Sequence, residues 1–344
     1  KNKSQDIGID LGTANIRIYT KDKGIIIDEP TVVGINTKTE QILAVGDEAK
    51  QMLGKTPAHI LVSRPLQHGI ISDYEVAEKM LRYFIDKVHE GGLSFLSRPR
   101  VVVGVPLDVT EVEAKAVEDA IIAAGARDVF IVQEPMLAAI GGRMPIEEPV
   151  GNLIVDVGAG KTEVAVISLH GVVIWKSTQI AGEEMNKNIV SYAREVFNLF
   201  VGEAHAEYIK MKVGAVVPGT EILQIPMRGR DVITGLPKEV LITDAHIREA
   251  LDRSIRTIID HIKMALEVTP PELTADIHER GMLLTGGTAL LPGLDKLITE
   301  ATEIPVRIID DPLSAVVRGA AVLLEDQRLL NLVRLPSARQ SIRS

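Results

Sequence analysis

The sequence predicts an α/β protein made of two copies of one core, each interrupted by a smaller inserted subdomain. Two observations lead to this prediction. A strand, an Asp-x-Gly turn and a second strand occur at residues 7–20 and again at residues 153–167, where Asp156 matches Asp10. After each hairpin, short apolar segments typical of buried strands alternate with segments typical of helices. A supersecondary unit that recurs in this way indicates a duplicated domain.

The first copy alternates predicted strands and helices. Residues 73–88 place their apolar side chains on one helical stripe. Thr110 and Glu113 form a capping box that begins a second helix, which ends before Gly125. Strands are predicted at residues 7–11, 16–20, 25–27, 31–35, 101–105 and 129–132.

The second copy repeats the hairpin and adds longer helices. Strands are predicted at residues 153–155, 162–167, 281–285 and 305–309, with a further β-hairpin at 221–230 and 238–242. Helices are predicted at residues 185–200, 203–212, 244–268, 288–301 and 312–324.

Interruptions of the repeated pattern give the predicted domain boundaries. The first core takes residues 1–31 and 66–142, with an inserted subdomain at 32–65. The second core takes residues 143–180 and 258–325, with an inserted subdomain at 181–257. Residues 326–344 are basic and lack a continuous pattern, so we expect a flexible tail.

The composition argues against several classes of function. The net charge of −9 and the aromatic content of 3% argue against a nucleic-acid-binding protein. The absence of Cys excludes disulfides and Cys-ligated metals and is typical of a reducing compartment. The sequence shows neither an apolar run long enough to span a membrane nor a signal peptide. We therefore expect a cytoplasmic protein.

The stretch VDVGAGKTEV, residues 155–164, ends like a phosphate-binding P-loop but does not fit that motif. Val155 stands where the motif requires its first Gly. A P-loop must also begin a helix, whereas residues 162–167 have the β-branched composition of a strand. We interpret this stretch as a glycine hairpin.

Two glycine hairpins could together hold one polyphosphate. Backbone N–H groups point into such turns, and small side chains let a phosphate approach closely. Asp10 and Asp156 lie at strand ends beside the turns, and two carboxylates near a triphosphate favour Mg²⁺ held through waters. A third glycine turn occurs at Gly286-Gly287. The pattern predicts a nucleotide and Mg²⁺ site between the two halves.

Several stretches carry a resemblance to a known family. They are IGIDLGTANI (7–16), RPLQHGIISDY (64–74), EPMLAAIG (134–141), VDVGAGKTEVAVIS (155–168), GEAHAEYIKMKVG (202–214), GRDVITGLPK (229–238), TPPELTADIHERGMLLTGGTALLPGLDKL (269–297) and DPLSAVVRGAA (311–321). In this order the chain resembles the actin-like ATPase superfamily, and the sixth and seventh stretches narrow the resemblance to the MreB family. The resemblance implies an actin-like, ribonuclease H-like fold of duplicated α/β domains with a nucleotide cleft between them.

The resemblance implies a role for each matching residue. Asp10 and Asp156 would organise Mg²⁺ and its waters. Glu134 and Lys161 would occupy the catalytic positions, with Glu134 polarising the attacking water. Contacts with ATP are implied for Gly12, Thr13, Ala14, Asn15, Gly158, Ala159, Gly160, Lys161, Glu207, Tyr208, Ile209, Lys210, Gly286, Gly287, Thr288 and Ala289.

Two departures from the family pattern affect the expected chemistry. Ala159 replaces a usual Gly, and Lys161 replaces a Thr that positions water in similar proteins. We expect a slow ATPase coupled to polymerisation, with hydrolysis impaired by Lys161. The alternative is a filament scaffold that binds ATP with little or no hydrolysis.

Two other classes within the superfamily fit the sequence less well. Sugar and glycerol kinases need a base that takes a hydroxyl proton, and no clear motif for one occurs. Chaperone ATPase domains lead into a peptide-binding domain, which we do not expect within these 344 residues.

The resemblance also implies partners and a place in the cell. The chain would assemble with itself into filaments at the inner face of the membrane and maintain cell shape with the cell-wall elongation machinery. Leu93, Phe95 and Leu96 form an apolar loop followed by Arg98 and Arg100. Inserted apolar side chains with basic neighbours give weak membrane binding, which polymerisation would multiply. The alternative is a loop tucked against its own domain.

Overall fold

The computed structural model describes residues 6–89 and 98–337. Contacts within the chain divide it into two compact units. Unit 1 comprises Lys1–Pro149, Ile167–Val172 and Leu313–Ser344, and unit 2 comprises Val150–Val166 and Val173–Pro312. In the described ranges, we find no helix long and apolar enough to cross a membrane.

Each predicted strand is present, and six strands that were not predicted also occur, at Ile42–Val45, Ile60–Ser63, Leu66–Gln67, Ile70–Ile71, Gly171–Thr178 and Leu199–Phe200. The strands of the described residues are numbered in chain order. They are β1 (Ile7–Leu11), β2 (Asn15–Thr20), β3 (Gly24–Pro30), β4 (Val33–Asn36), β5 (Ile42–Val45), β6 (Ile60–Ser63), β7 (Leu66–Gln67), β8 (Ile70–Ile71), β9 (Arg100–Val105), β10 (Asp128–Gln133), β11 (Asn152–Val157), β12 (Thr162–Ser168), β13 (Gly171–Thr178), β14 (Leu199–Phe200), β15 (Gln224–Asp231), β16 (Pro237–Thr243), β17 (Met282–Thr285) and β18 (Val306–Ile308). Because β12 follows Lys161 directly, the hairpin interpretation of residues 155–164 is confirmed.

Most predicted helices are present, with corrections given below, and residues 47–51, 134–141 and 271–280 form helices that were not predicted. The helix predicted at residues 185–200 ends at Phe197, because Asn198 adopts a left-handed conformation. The helices of the described residues are numbered in chain order. They are α1 (Asp47–Gln51), α2 (Tyr74–His89), α3 (Glu111–Ala123), α4 (Glu134–Gly141), α5 (Gly182–Phe197), α6 (Glu203–Val213), α7 (Asp244–Glu267), α8 (Pro271–Arg280), α9 (Leu294–Thr302), α10 (Ala315–Glu325) and α11 (Gln327–Val333). The capping box of α3 is confirmed: the Thr110 hydroxyl accepts from the Glu113 amide, and the Glu113 carboxylate accepts from the Thr110 amide.

The two large sheets have the same order of strands, which confirms the predicted duplication. One sheet runs β10-β9-β1-β2-β3, and the other, written in the same direction, runs β18-β17-β11-β12-β13. The strand before the Asp-x-Gly turn, β1 or β11, is therefore the central strand of each sheet. In the first sheet, β1, β9 and β10 are parallel, whereas β2 and β3 are antiparallel to their neighbours. In the second, β11, β17 and β18 are parallel. The carboxyl ends of the parallel strands lie along one edge of each sheet.

Each unit has its own hydrophobic core around its sheet. Every residue of β1 and of β11 is buried, as expected for strands covered on both faces. Helices α2 and α3 contribute buried side chains to the unit 1 core, and α5 and α7 contribute to the unit 2 core. The strand ends that carry the predicted site residues are therefore fixed by packing.

Smaller sheets occupy the predicted insertions. Strands β5, β4 and β6 form one such sheet, and Val32, Ala44 and Ala49 form a separate small core there. Strands β14, β15 and β16 form another. The β15–β16 pairing confirms the predicted hairpin.

The single helix predicted at residues 288–301 is wrong. The chain instead forms a 3-10 helix at Gly287–Leu290, and α9 begins only at Leu294. Pro292 lacks an amide hydrogen, and Gly293 adopts a left-handed conformation with φ 88°, so a continuous helix cannot pass through them.

The C-terminal region also differs from the prediction. The sequence pattern placed residues 313–325 in the second core, whereas their contacts group them with unit 1, where α10 packs on α4 and β1. A flexible tail from residue 326 is wrong for residues 327–333, which form α11. The Asp326 carboxylate accepts from the third amide of that helix, and Leu330 and Val333 are buried.

The segment after α11 lies against β10, which is the edge strand of the unit 1 sheet. The Leu335 amide donates to the Ile131 carbonyl oxygen at 2.8 Å. The Arg334 guanidinium lies 5.7 Å from the centre of the Phe130 ring. This segment therefore covers part of the sheet edge.

Candidate functional site

The first predicted turn lies in unit 1 between β1 and β2. The Gly12 amide donates to the Asn15 carbonyl oxygen at 3.1 Å, which closes a four-residue turn. A Cβ at Gly12 would lie 2.7 Å from that oxygen, so only glycine fits here. The Thr31 hydroxyl donates to the Gly12 carbonyl oxygen at 2.8 Å, and the Thr31 amide donates to that of Ala14 at 2.9 Å.

Two side chains of this turn are also engaged. The Thr13 hydroxyl accepts from the Gly69 amide at 2.8 Å. The Asn15 amide group donates to Asp28 Oδ1 at 3.2 Å. The turn is therefore a preformed structure held from both sides, as close approach to a phosphate requires.

Asp10 is a nearly buried carboxylate at the end of β1. Its exposed fraction is 8%, and Arg17 of β2 lies directly opposite with 9% exposed. Arg17 Nη1 lies 3.6 Å from Asp10 Oδ2, and Arg17 Nε lies 3.2 Å from Asp28 Oδ1. Burial raises the pKa of Asp10 to about 6, while the Arg17 guanidinium acts in the opposite direction.

The sequence analysis missed Arg17. The bond between residues 12 and 15 sets the register of the hairpin, and this register places residue 17 opposite residue 10. The sequence did offer one signal for Arg17, which is a charged residue between two Ile residues of a predicted strand. Ile16 and Ile18 are both fully buried in the structure.

Glu134 lies at the same edge of the unit 1 sheet as Asp10. It is the first residue of α4, immediately after β10, and β10 runs parallel to β9 and β1. Gly104 of β9 leaves room for it, because a Cβ at Gly104 would lie 2.9 Å from Glu134 Cγ. Its role in catalysis stays a prediction.

The second turn, in unit 2, repeats the geometry of the first. The Gly158 amide donates to the Lys161 carbonyl oxygen at 3.0 Å. The first two amides of α5, from Gly182 and Glu183, donate to the carbonyl oxygens of Gly158 and Ala159 at 3.1 and 2.8 Å. The side chain of Lys161 is nearly buried, with 8% of the residue exposed.

The third turn lies directly against the second. The Thr288 hydroxyl donates to the Gly158 carbonyl oxygen at 2.9 Å. Gly286 has φ 87°, and a Cβ there would lie 2.5 Å from Asp156 Oδ1. The predicted residues Asp156, Gly158, Gly286 and Thr288 are therefore neighbours within unit 2.

Helix α6 completes this group through Lys210. Its Nζ donates to the Gly182 carbonyl oxygen at 2.8 Å, at the start of α5. Burial lowers the pKa of Lys210 to about 8, and the charges of Glu207 and Glu183 act in the opposite direction. The sequence analysis selected Lys210 but missed Gly182, which carries no distinguishing side chain.

Some residues predicted to contact ATP have side chains that are buried in the core or engaged elsewhere. Ile209 and Ala289 are fully buried in the unit 2 core. Tyr208 is 47% exposed and stacks on His205, with ring centroids 6.1 Å apart. Leu93, Phe95 and Leu96 lie outside the described residues.

The residues present fit a nucleotide and a hard cation. In unit 2, two glycine turns, the start of α5 and the half-buried side chain of Lys210 converge. Asp10 and Asp156 are both nearly buried, and carboxylate oxygens are the donors that Mg²⁺ prefers.

A family model and solved structures match this chain over nearly its whole length. The model described as MreB/Mbl protein matches residues 4–331. The cell shape-determining protein MreB of Escherichia coli K12 is 46% identical over 326 residues, covering 94% of each chain. MreB5 of Spiroplasma citri bound to ADP matches with a TM-score of 0.91 at 33% identity, covering 96% of this chain and 99% of that one.

Two further structures agree. MreB5 bound to AMPPNP also matches with a TM-score of 0.91, covering 95% of this chain and 98% of that one. The MamK double helical filament matches with a TM-score of 0.78 at 21% identity, covering 93% of this chain and 98% of that one, which shows a shared fold. The repeated sheets, the paired Asp-x-Gly turns and these matches agree with one another. The chain belongs to the MreB/Mbl family of actin-like, cell shape-determining proteins.

Proposed function

We propose that this chain binds ATP with Mg²⁺ through its three glycine turns and helix α6. One observation carries the proposal: in unit 2 the third turn is hydrogen-bonded directly to the second turn, and Lys210 is joined to the second turn through Gly182 at the start of α5. The sequence predicted the second and third turns separately, although Gly158 and Thr288 are 130 positions apart. The ADP and AMPPNP bound to the related MreB5 support a nucleotide as the ligand.

Each group of residues has a distinct task in the proposal. The amides of the turns at 12–15 and 158–161 bind phosphate oxygens, since closely spaced N–H groups form anion-binding concavities. Glu207 and Lys210 bind the ribose and adenine side. Asp10 and Asp156 hold Mg²⁺, which would neutralise phosphate charge when bound.

The proposal extends to assembly. The chain polymerises into filaments that bind the inner face of the cell membrane and help to organise cell-wall synthesis. Membership of a cell shape-determining, actin-like family supports polymerisation. The apolar loop with Leu93, Phe95 and Leu96 supports membrane binding.

Substitution of Asp156 tests the nucleotide site. We expect Asp156→Ala to weaken Mg²⁺-dependent ATP binding by at least tenfold, because removing one ligand or its partner typically costs about 10- to 100-fold in metal affinity. Titration calorimetry with ATP, with and without Mg²⁺, measures this. The control is Asp252→Ala, an exposed carboxylate paired with Arg256 in the same unit. Equal ATP affinity in both variants would contradict the site.

A second candidate function is an ATP-binding filament scaffold with little hydrolysis. The burial of Lys161 favours it, because a nearly buried lysine stands at the sequence position where similar proteins have a water-positioning Thr. Phosphate release by polymerising protein separates the two candidates. Sustained release indicates an ATPase, and assembly without release indicates a scaffold.

A further inference from the structure

Three charged side chains form one row across the hairpin strands of unit 1. Asp10 of β1 pairs in register with Arg17 of β2, and Arg17 pairs in register with Asp28 of β3. Directly paired residues in adjacent strands place their side chains on the same face of the sheet. The Arg17 guanidinium bridges the row, 3.6 Å from Asp10 and 3.2 Å from Asp28.

One end of the row is buried and the other end is exposed to solvent. Asp10 and Arg17 are nearly buried, whereas the side chain of Asp28 is 51% exposed. The Asn15 amide group of the first turn also binds Asp28 Oδ1, at 3.2 Å. The exposed end of the row is therefore tied to the turn, and Arg17 is held at both ends.

Stability does not account well for this buried ion pair. Apolar residues of similar volume often replace a buried ion pair with no loss of stability, because desolvating two charges is costly. The neighbours of Arg17 on its strand, Ile16 and Ile18, are fully buried and apolar. A charged Arg at this position points to a role in the chemistry of Asp10.

The two oxygens of Asp10 have different surroundings. Oδ2 is the atom that pairs with Arg17. Oδ1 lies on the side of the phosphate-binding turn, 3.7 Å from where a Cβ of Gly12 would stand. Pairing one oxygen with Arg17 fixes the rotation of the carboxylate and directs the other oxygen toward the turn.

We propose that Arg17 is a positioning residue, which holds Asp10 Oδ2 so that Oδ1 is presented to the Mg²⁺ that accompanies ATP. The inference rests on the proposed function and adds to it a residue outside the glycine turns. This positioning role differs from simple competition, in which the Arg17 guanidinium would pair with the Asp10 carboxylate and exclude the metal from it. The two roles predict opposite changes when Arg17 is removed.

The test measures the Mg²⁺ concentration that gives half-maximal ATP binding, at fixed pH and ionic strength. We expect Arg17→Met to raise this concentration about tenfold, the lower end of the effect of an outer-shell partner. ATP affinity at saturating Mg²⁺ should stay close to that of the parent. A general structural defect would lower ATP affinity at every Mg²⁺ concentration.

Two further variants make the result specific. Arg127→Met removes an Arg from an exposed ion pair of the same unit, with side chains 55% and 51% exposed, and should change nothing. In an Asp10→Asn background, Arg17→Met should add no further shift, because Arg17 acts through that carboxylate. A full additional shift in this background would overturn the inference.

Arg17→Lys keeps the test decisive if Arg17→Met does not fold, as judged by circular dichroism. Lys keeps the charge but lacks the planar fork that can bridge two carboxylates, so we expect a smaller rise in the Mg²⁺ requirement. An unchanged or lower requirement in the folded variant overturns the role of Arg17 alone. A parent chain that binds no ATP with Mg²⁺ overturns the proposed function, and the role of Arg17 with it.

Discussion

At the residue scale, our expectation for the rate of ATP hydrolysis depends most on Lys161. Its carbonyl oxygen closes the second turn, and its side chain is nearly buried beside that turn. A Thr hydroxyl both donates and accepts hydrogen bonds and can hold an attacking water, whereas an ammonium group only donates. The ammonium can instead bind phosphate oxygens as a point charge.

We predict that Lys161→Thr releases phosphate faster than the parent at saturating ATP, with similar ATP affinity. Loss of one positioned group typically costs about 10²–10³ in rate, so a gain of about tenfold or more is expected. Lys176→Thr, on the neighbouring strand β13, is the matched control. An equal or lower rate in Lys161→Thr would show that Lys161 is neutral or assists catalysis.

Some residues of the candidate site could be predicted from the sequence, and others could not. The paired motifs pointed to Asp10 and Asp156 because each stands beside a glycine turn at a strand end. Arg17 needed the hairpin register, and the bond from Lys210 to Gly182 joins backbone to side chain across 28 positions. No local pattern encodes a contact of that kind, because tertiary packing brings the two groups together.

At the scale of elements, α4, the helix that begins at Glu134, packs closely against α10. Gly141 of α4 lies against the Ala315 carbonyl oxygen, and Gly319 of α10 lies against that of Leu137. Neither glycine leaves room for a Cβ. The two helix backbones therefore approach more closely than larger side chains would permit.

We predict that Gly319→Ala destabilises unit 1, because a Cβ there would overlap the Leu137 backbone, which cannot rotate away. Overpacking of this kind costs about 1–3 kcal/mol, so thermal unfolding should begin several degrees lower. Gly171→Ala is the control, since its Cβ would make only an ordinary 3.7 Å contact. Equal melting temperatures for the two variants would contradict the packing argument.

Elements were predictable where local signals agreed with tertiary contacts. The capping box of α3 and the apolar stripe of α2 are local, and both appear as expected. The break before α9 was also readable from Pro292-Gly293, but the apolar pattern on either side concealed it. Helix α11 was missed because buried Leu330 and Val333 stabilise it through packing that the basic composition does not reveal.

At the scale of the whole molecule, the duplication was readable but the assignment of its last helix was not. Both sheets have the same strand order, and the paired Asp-x-Gly hairpins predicted this duplication. Chain order suggested that residues 313–325 complete the second core, yet their contacts are in unit 1. Sequence proximity does not determine which sheet a terminal helix covers.

The proposed membrane binding belongs to the scale of the assembled molecule. We predict that replacing Leu93, Phe95 and Leu96 by Ser abolishes co-pelleting with anionic liposomes while ATP-dependent polymers still form. In the proposed filament, the apolar stretch of each subunit would bind the membrane weakly, and the many subunits would multiply that binding. Sedimentation with and without liposomes measures both properties, with uncharged liposomes as the control. Persistent co-pelleting would exclude the loop as anchor and make the basic C-terminal region the next candidate.

The segment after α11 has a consequence for the fidelity of assembly. An open edge strand is a template on which a strand of another chain can add, and this leads to aggregation. At β10 the Leu335 amide and the Arg334 side chain already occupy part of that edge. We propose that this chain is concentrated in filaments, where open strand edges of neighbouring copies could pair. The segment after α11 hinders such pairing at β10. Filament growth then depends on contacts between folded surfaces.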